Sequence, residues 1–259
     1  MTRPGSEFAD DDVVAAYVHR PPYPPALFAR LADLAPRRGM AIDLGCGPGK
    51  LALGLAPRFD AVVAIDPSAA MVRAARDLTP SAVRNIRWIE AYAEDADLPA
   101  ADLAVAGASI HWMDPTRVFP RLAKALGADG VLGLVGGDEP AEAPWLADWR
   151  RVIRDWVGRL GGVWNGPEHR SRAEAHRPWF DLAAEEVFPH TVTLPVDALV
   201  EGEHSRATWA RFRMGEQARD FDADLHAVLA PHAQAGAVTF EIHTRLAWGR
   251  PRRTPRQET

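Results

Sequence analysis

Five short apolar runs separated by amphipathic stretches occupy the chain from Met40 to Gly136, and they constrain the fold more than any other feature. The runs are MAIDLG (40–45), AVVAID (61–66), NIRWIE (85–90), DLAVAGA (102–108) and GVLGLVG (130–136). Each is nearly continuously apolar, as a parallel strand covered on both faces must be. Between them, LALGLAP, SAAMVRAARDL and PTRVFPRLAKALG carry apolar residues at helical spacing. The alternation predicts an α/β, doubly wound sheet of seven strands, mostly parallel, with an antiparallel C-terminal strand. A ligand of such a sheet sits beyond the carboxyl ends of the strands, where the strand order reverses.

The pattern changes after Gly136. Five tryptophans (Trp145, Trp149, Trp156, Trp164 and Trp179) fall within 42 residues, 138–179. Trp145, Trp149, Ile153, Trp156 and Leu160 lie close to one helical stripe. This reads as a Trp-rich helical insertion packed against the sheet, with one or two of its tryptophans, Trp145 and Trp164 foremost, lining an acceptor pocket. The runs at 185–194 and 237–248 read as an antiparallel pair completing the sheet, and RPRRTPRQET (250–259) reads as a disordered tail. The expected division is therefore an N-terminal helical lid (1–39), a ligand-binding core (40–137), a substrate-cap insertion (138–180), a C-terminal completion with further cap helices (181–249) and the tail (250–259).

Composition narrows the partners. Thirty basic and 35 acidic residues give a net charge of -5, which offers no broad attraction to nucleic acid. The single cysteine, Cys46, excludes an intramolecular disulfide, and no Cys/His spacing resembles a zinc site, so no metal is expected. Without a signal-like N-terminus or an 18-residue apolar run, the chain reads as soluble and cytoplasmic, with no membrane partner. Its oligomeric state is not legible.

The first run leads into Asp43-Leu44-Gly45-Cys46-Gly47-Pro48-Gly49. Three alternating glycines let a ligand approach the backbone closely. The dinucleotide fingerprint G-x-G-x-x-G would put its third glycine where Lys50 stands, which disfavours a nicotinamide-dependent oxidoreductase. The turn instead resembles the first motif of the class I S-adenosylmethionine-dependent methyltransferases, which have a Rossmann-like sheet. Asp66, at the end of the second run, resembles that family's ribose-binding acid, and Pro67 and Met71 resemble the residues flanking the adenine. Tyr92, Ala93 and Glu94 follow the third run, where the family keeps the groups that meet the adenine; Tyr92 replaces the usual acid, leaving Glu94, Asp95 or a backbone amide for that role. Ala108, Ser109, Ile110, His111 and Trp112 resemble the branch that includes trans-aconitate methyltransferases. Tyr17 and Arg20, in AYVHRPPYP (16–24), resemble that branch's Tyr-x-x-Arg-Pro element, which closes over the cofactor. These resemblances span residues 17–136. They imply S-adenosyl-L-methionine as cofactor and S-adenosyl-L-homocysteine as product, with Cys46 serving as a small residue that fits the turn.

Methyl transfer from a sulfonium is an in-line displacement whose main demands are alignment and exclusion of water. Arg20 suits the cofactor's carboxylate or a closing lid, with Tyr17 beside it. An acceptor hydroxyl or amine that must lose a proton needs a base, and His111 is the candidate at the end of the fourth strand. Alternatively, His111 and Trp112 form the pocket floor, with Tyr23 as a further substrate contact. The expected acceptor is a small molecule with an O, N or C nucleophile. The alternative is a protein that binds the cofactor without transferring its methyl group.

Overall fold

The computed structural model describes residues 11–163 and 172–256. Helices α1 (Asp11–Tyr17) and α2 (Pro25–Leu34) precede an alternation of β1 (Met40–Leu44), α3 (Lys50–Leu55), β2 (Ala61–Asp66), α4 (Ala69–Leu78), β3 (Ile86–Glu90), β4 (Leu103–Gly107), α5 (Pro115–Leu126) and β5 (Val131–Gly136). Then follow β6 (Pro140–Glu142), α6 (Leu146–Arg159), α7 (Arg172–Ala175), β7 (Phe180–Pro195), α8 (Val196–Glu203), α9 (Arg211–Met214), α10 (Gln217–Leu229) and β8 (Ala237–Pro251). The five expected parallel strands form, each within one or two residues of its sequence bounds. Their order is β3-β2-β1-β4-β5, so it reverses between β1 and β4.

Alternation along the strands builds two layers, because successive side chains leave a strand on opposite faces. Ile42, Leu44, Val63, Ile65, Ala104, Ala106, Leu132 and Leu134 pack with Val118, Phe119, Leu122 and Leu126 of α5. Ala41, Val62, Ala64, Leu103, Val105, Val131 and Val135 face the other way, against Leu27, Phe28 and Leu31 of α2 and Leu51 and Leu55 of α3. Burial of each such leucine contributes about 1.5–3 kcal/mol. Helix α2 is thus part of the sheet's covering layer and not of a lid, which corrects the expected 1–39 unit.

Among the described residues the sheet has eight strands instead of seven. The extra strand arises because β5 and β6 both pair antiparallel with β8, β5 along 245–249 and β6 along 241–242, with a break at 137–139 between them. Gly137 makes the break possible: its φ is +79°, and a Cβ there would lie 2.3 Å from the His243 carbonyl oxygen. The displaced residue is Asp138.

Strands β7 and β8 pair from Phe180↔Pro251 to Pro195↔Ala237, a longer ribbon than the sequence suggested. The expected disordered tail is corrected over 250–256. Arg250 and Pro251 belong to β8, the Arg252 amide donates to Trp179 O at 2.8 Å and the Arg256 amide to Pro178 O at 2.7 Å. Residues 257–259 lie outside the described residues.

A third hydrophobic cluster forms the cap. Trp145, Trp149, Ile153 and Trp156 meet Leu199, Trp209, Phe221, Leu225, Phe240 and Ile242. Trp145 caps the start of α6, and Leu160, beyond its end, is exposed. No described helix is long and apolar enough to cross a membrane.

Candidate active site

The ends of β1 and β4 meet at the reversal of strand order. Gly45 has a φ of +61°, and a Cβ on it would lie 2.5 Å from Ser109 Cβ. Ser109 closes this junction by donating from Oγ to the Leu44 carbonyl at 2.6 Å. Ala108 before it holds a φ of +52°, a conformation that strains a residue carrying a Cβ by about 1–3 kcal/mol.

A two-lobed cleft opens over this junction. One lobe, about 650 Å³, is lined by Asp66, Pro67 and Met71 after β2, Tyr92, Ala93 and Glu94 after β3, and Ala108, Ser109, Trp112 and Met113 after β4. The other, about 400 Å³, is lined by Arg20, Tyr23, Asp43, Cys46, Lys50 and Asp138, among others. Tyr17, Gly45 and Gly107 line both lobes.

Asp66 and Asp43 anchor the two lobes. Asp66 accepts from the Gly47 amide at 2.8 Å and the Ser68 amide at 2.9 Å. Burial raises its pKa, and the two amides oppose the rise. Asp43 shares a strand face with Ala41 and meets α3, where Oδ2 accepts from the Ala52 amide at 3.0 Å. Its Oδ1 is buried without a hydrogen-bond partner among the described residues. Burial, aided by the charge of Asp66, pushes the Asp43 carboxyl up to about 7. An orphaned oxygen on a buried acid is uncommon and marks a place for a donor.

The segment 18–24, between α1 and α2, lies across the smaller lobe as a strap. Arg20 stacks on the Tyr17 ring at 4.1 Å and donates to Tyr17 Oη at 3.3 Å, Asp138 at 3.2 Å, and the hydroxyl and carbonyl of Ser205 at 2.7 and 3.2 Å. These contacts tie Arg20 to α1, to Ser205 and to Asp138, which meets its charge. His190 of β7 holds the strap from outside, through the Pro22 carbonyl at 3.2 Å. Burial raises the Tyr17 and Tyr23 phenols, so both stay protonated at neutral pH. Asp138 is half-buried, which would raise its carboxyl, yet Arg206, Arg20 and Lys50 outweigh that effect and bring it to about 2.

The structure gathers most of the expected residues in the cleft and separates the rest. Tyr17, Arg20, Asp43, Gly45, Cys46, Gly47, Asp66, Pro67, Met71, Tyr92, Ala93, Glu94, Ala108, Ser109, Tyr23 and Trp112 all line it. Gly49 does not: at a φ of +90° it starts α3, and a Cβ would lie 2.4 Å from Trp88 Cη2, so this glycine answers to packing. Asp95 turns outward to Arg117 at 2.6 Å, whereas Glu94 lines the larger lobe. His111 is exposed and outside both lobes, its ring 4.7 Å from that of Trp112, because it falls on the outer side of the short 3-10 turn Ile110–Trp112. Trp145 is 1% exposed in the cap's core, edge-on to Trp149 and Phe240, and cannot touch an acceptor. Trp164 lies outside the described residues. Sequence reasoning missed Asp138 and weighed Lys50 only as a misfit to the dinucleotide fingerprint. A carboxylate just past the end of a parallel strand was the available signal for the first.

Residues 41–130 match the family model for a methyltransferase domain. Over these residues the chain is similar to methyltransferase domains. Among curated relatives, an uncharacterized methyltransferase of Mycobacterium tuberculosis is 34% identical over 149 residues, covering 57% of this chain and 58% of the relative. A trans-aconitate 2-methyltransferase of Variovorax paradoxus is 38% identical over 147 residues, covering 50% and 56%. The chain thus spans a little over half the length of these curated relatives. A solved structure described as a type II methyltransferase from Anaeromyxobacter dehalogenans is 27% identical with a TM-score of 0.66, covering 92% of this chain and 99% of that one. The matched region places its glycine turn, Asp66 and Ser109 around one cleft.

Proposed function

We propose that the protein binds S-adenosylmethionine and transfers its methyl group to an O, N or C nucleophile of a small molecule. The carrying observation is the cleft, with Asp66 in one lobe and an unpartnered buried oxygen of Asp43 in the other. The residues present fit the cofactor. Asp66 would accept the ribose hydroxyls, Met71, Tyr92, Ala93 and Glu94 would border the adenine, and Asp43 Oδ1 would take the ammonium. When bound, the cofactor supplies an electrophilic methyl on a sulfonium whose leaving group departs neutral. The chain's own part is alignment and dryness: Tyr17, Tyr23 and the strap cover the lobe where Asp43 would meet the cofactor's amino-acid end.

Since His111 stands outside the cleft, the acceptor that fits best arrives already ionised, such as a carboxylate. The trans-aconitate 2-methyltransferase relatives are consistent with that chemistry. Calorimetry with S-adenosylhomocysteine tests the first half of the reading, and an absence of heat would overturn it. Incubation with S-adenosylmethionine and a carboxylate panel, followed by mass spectrometry, tests the second half. Methyl ester and S-adenosylhomocysteine should appear in equal amounts; binding without any methylated product would instead support a non-transferring protein.

A further inference from the structure

Two cations line the smaller lobe, and they are differently occupied. Arg20 spends its donors on Tyr17, Asp138 and Ser205, and Asp138 balances its charge. Arg206, nearby, is paired with Glu203 at 3.2 Å and Glu139 at 3.3 Å. Lys50 has no such partner: among the described residues its Nζ donates only to the carbonyls of Arg20 and Pro21, both neutral. An ammonium carries three donors, so one remains. The side chain is largely buried, and burial, with the charge of Arg20, lowers its pKa to about 8, against the opposing pull of Asp138. A buried cation bonded only to neutral groups is favoured by an arriving anion.

The same lobe holds the unpartnered Asp43 oxygen. A lysine with a spare donor and a carboxylate with a spare acceptor, lining one small void, complement a free amino-acid head group of opposite polarity. We propose that Lys50, and not Arg20, holds the carboxylate at the amino-acid end of the cofactor, while Arg20 serves only to fasten the strap. This rests on the methyltransferase reading above and assigns a binding partner within it. The anchor is delivered by the glycine turn itself, since Lys50 is the first residue of α3.

The test is titration calorimetry with three ligands on the full chain. S-adenosylhomocysteine carries both ends of the head group, its decarboxylated analogue keeps only the ammonium, and 5'-methylthioadenosine lacks the head group altogether. Lys50→Met should weaken S-adenosylhomocysteine roughly 10- to 100-fold, the range for a lost hydrogen bond to a charged group. The other two ligands should lose only what loosening the strap costs, so that the loss for S-adenosylhomocysteine exceeds theirs roughly 10-fold or more, and Lys50→Arg should restore most of that difference. Arg20→Met should weaken all three alike, through the strap. If Lys50→Met weakened all three ligands equally or none, Lys50 would be only a staple for the strap and the proposal would fail. A carboxylate-selective loss in Arg20→Met would overturn it as well. If S-adenosylhomocysteine gave no heat with the unsubstituted protein, the methyltransferase reading itself would fall, an outcome distinct from an unselective Lys50 variant.

Discussion

The sheet's ligand-facing edge and the cap are held together by different kinds of interaction. At the edge, conformation is imposed locally by the backbone: Gly45, Gly47 and Gly49 take positive φ within five residues, and Asp66 fastens the turn through the Gly47 amide. In the cap, order comes from side chains brought together from distant segments, such as Trp145 against Phe240 and Trp209 stacked on Phe221 at 4.8 Å. Backbone constraints leave a mark in a short stretch of sequence, whereas long-range aromatic packing leaves only composition. The edge accordingly carries a motif legible in the sequence and the cap does not.

Four substitutions or conditions press on that contrast. Trp145→Ala should cost about 3–5 kcal/mol in chemical denaturation, as removal of a fully buried large aromatic does, with S-adenosylhomocysteine affinity of the folded protein unchanged. A drop in affinity with little loss of stability would instead place the cap in the site.

Asp43 gives the next largest effect. Its folded pKa of about 7 lies above the ordinary carboxylate value of 3.8, so the ligand-free protein binds the extra proton between those limits. The associated stability is fully present below about pH 4 and is lost as pH rises through 7, by at most roughly 4 kcal/mol. Urea unfolding at pH 5 and pH 8 should show this decline, and Asp43→Asn should flatten it. Ligand affinity should run the opposite way, falling about tenfold per unit below pH 7 as the carboxylate protonates.

Gly45→Ala should cost about 3 kcal/mol, combining left-handed strain with the clash on Ser109 Cβ, and should abolish ligand heat. Adding Ser109→Gly should recover part of the stability, and no recovery would refute the clash. The smallest effect belongs to His111→Ala, expected within about 0.5 kcal/mol in stability and without change in turnover, as for an exposed side chain away from the cleft. A tenfold fall in turnover would return it to the role of base.

The parallel strands were legible because doubly covered strands are apolar throughout, and Asp43, Asp66 and Ser109 because strand ends meet ligands in such sheets. Gly49 was legible as a glycine requirement but not as a packing one, since Trp88 approaches it from another strand. His111 had the right position along the chain and the wrong direction in space, which one turn of 3-10 helix decides. The tryptophan stripe correctly marked α6, while the depth of Trp145 depends on Phe240 of β8, which no local periodicity reveals. The anchored 252–256 segment looked free because its partners, the Trp179 and Pro178 carbonyls and the Asp181 carboxylate, lie about 70 residues away along the chain, where local composition is blind to them.

The β7–β8 ribbon threads two cores at once: Phe180, Leu246 and Ala247 lie among the sheet's layers, and Val192, Val238, Phe240 and Ile242 lie within the cap. Swinging the cap away like a door would tear a long ladder of main-chain pairing, interrupted by one register shift between Leu182 and Ala184, so the ribbon acts as a girder. The short strap over the smaller lobe is held differently, by fastenings at Lys50, Asp138, Ser205 and His190 that are few and side-chain in origin. Seven residues, 18–24, thus cover the smaller lobe on hinges of side chains, while the ribbon beside them is locked by its backbone.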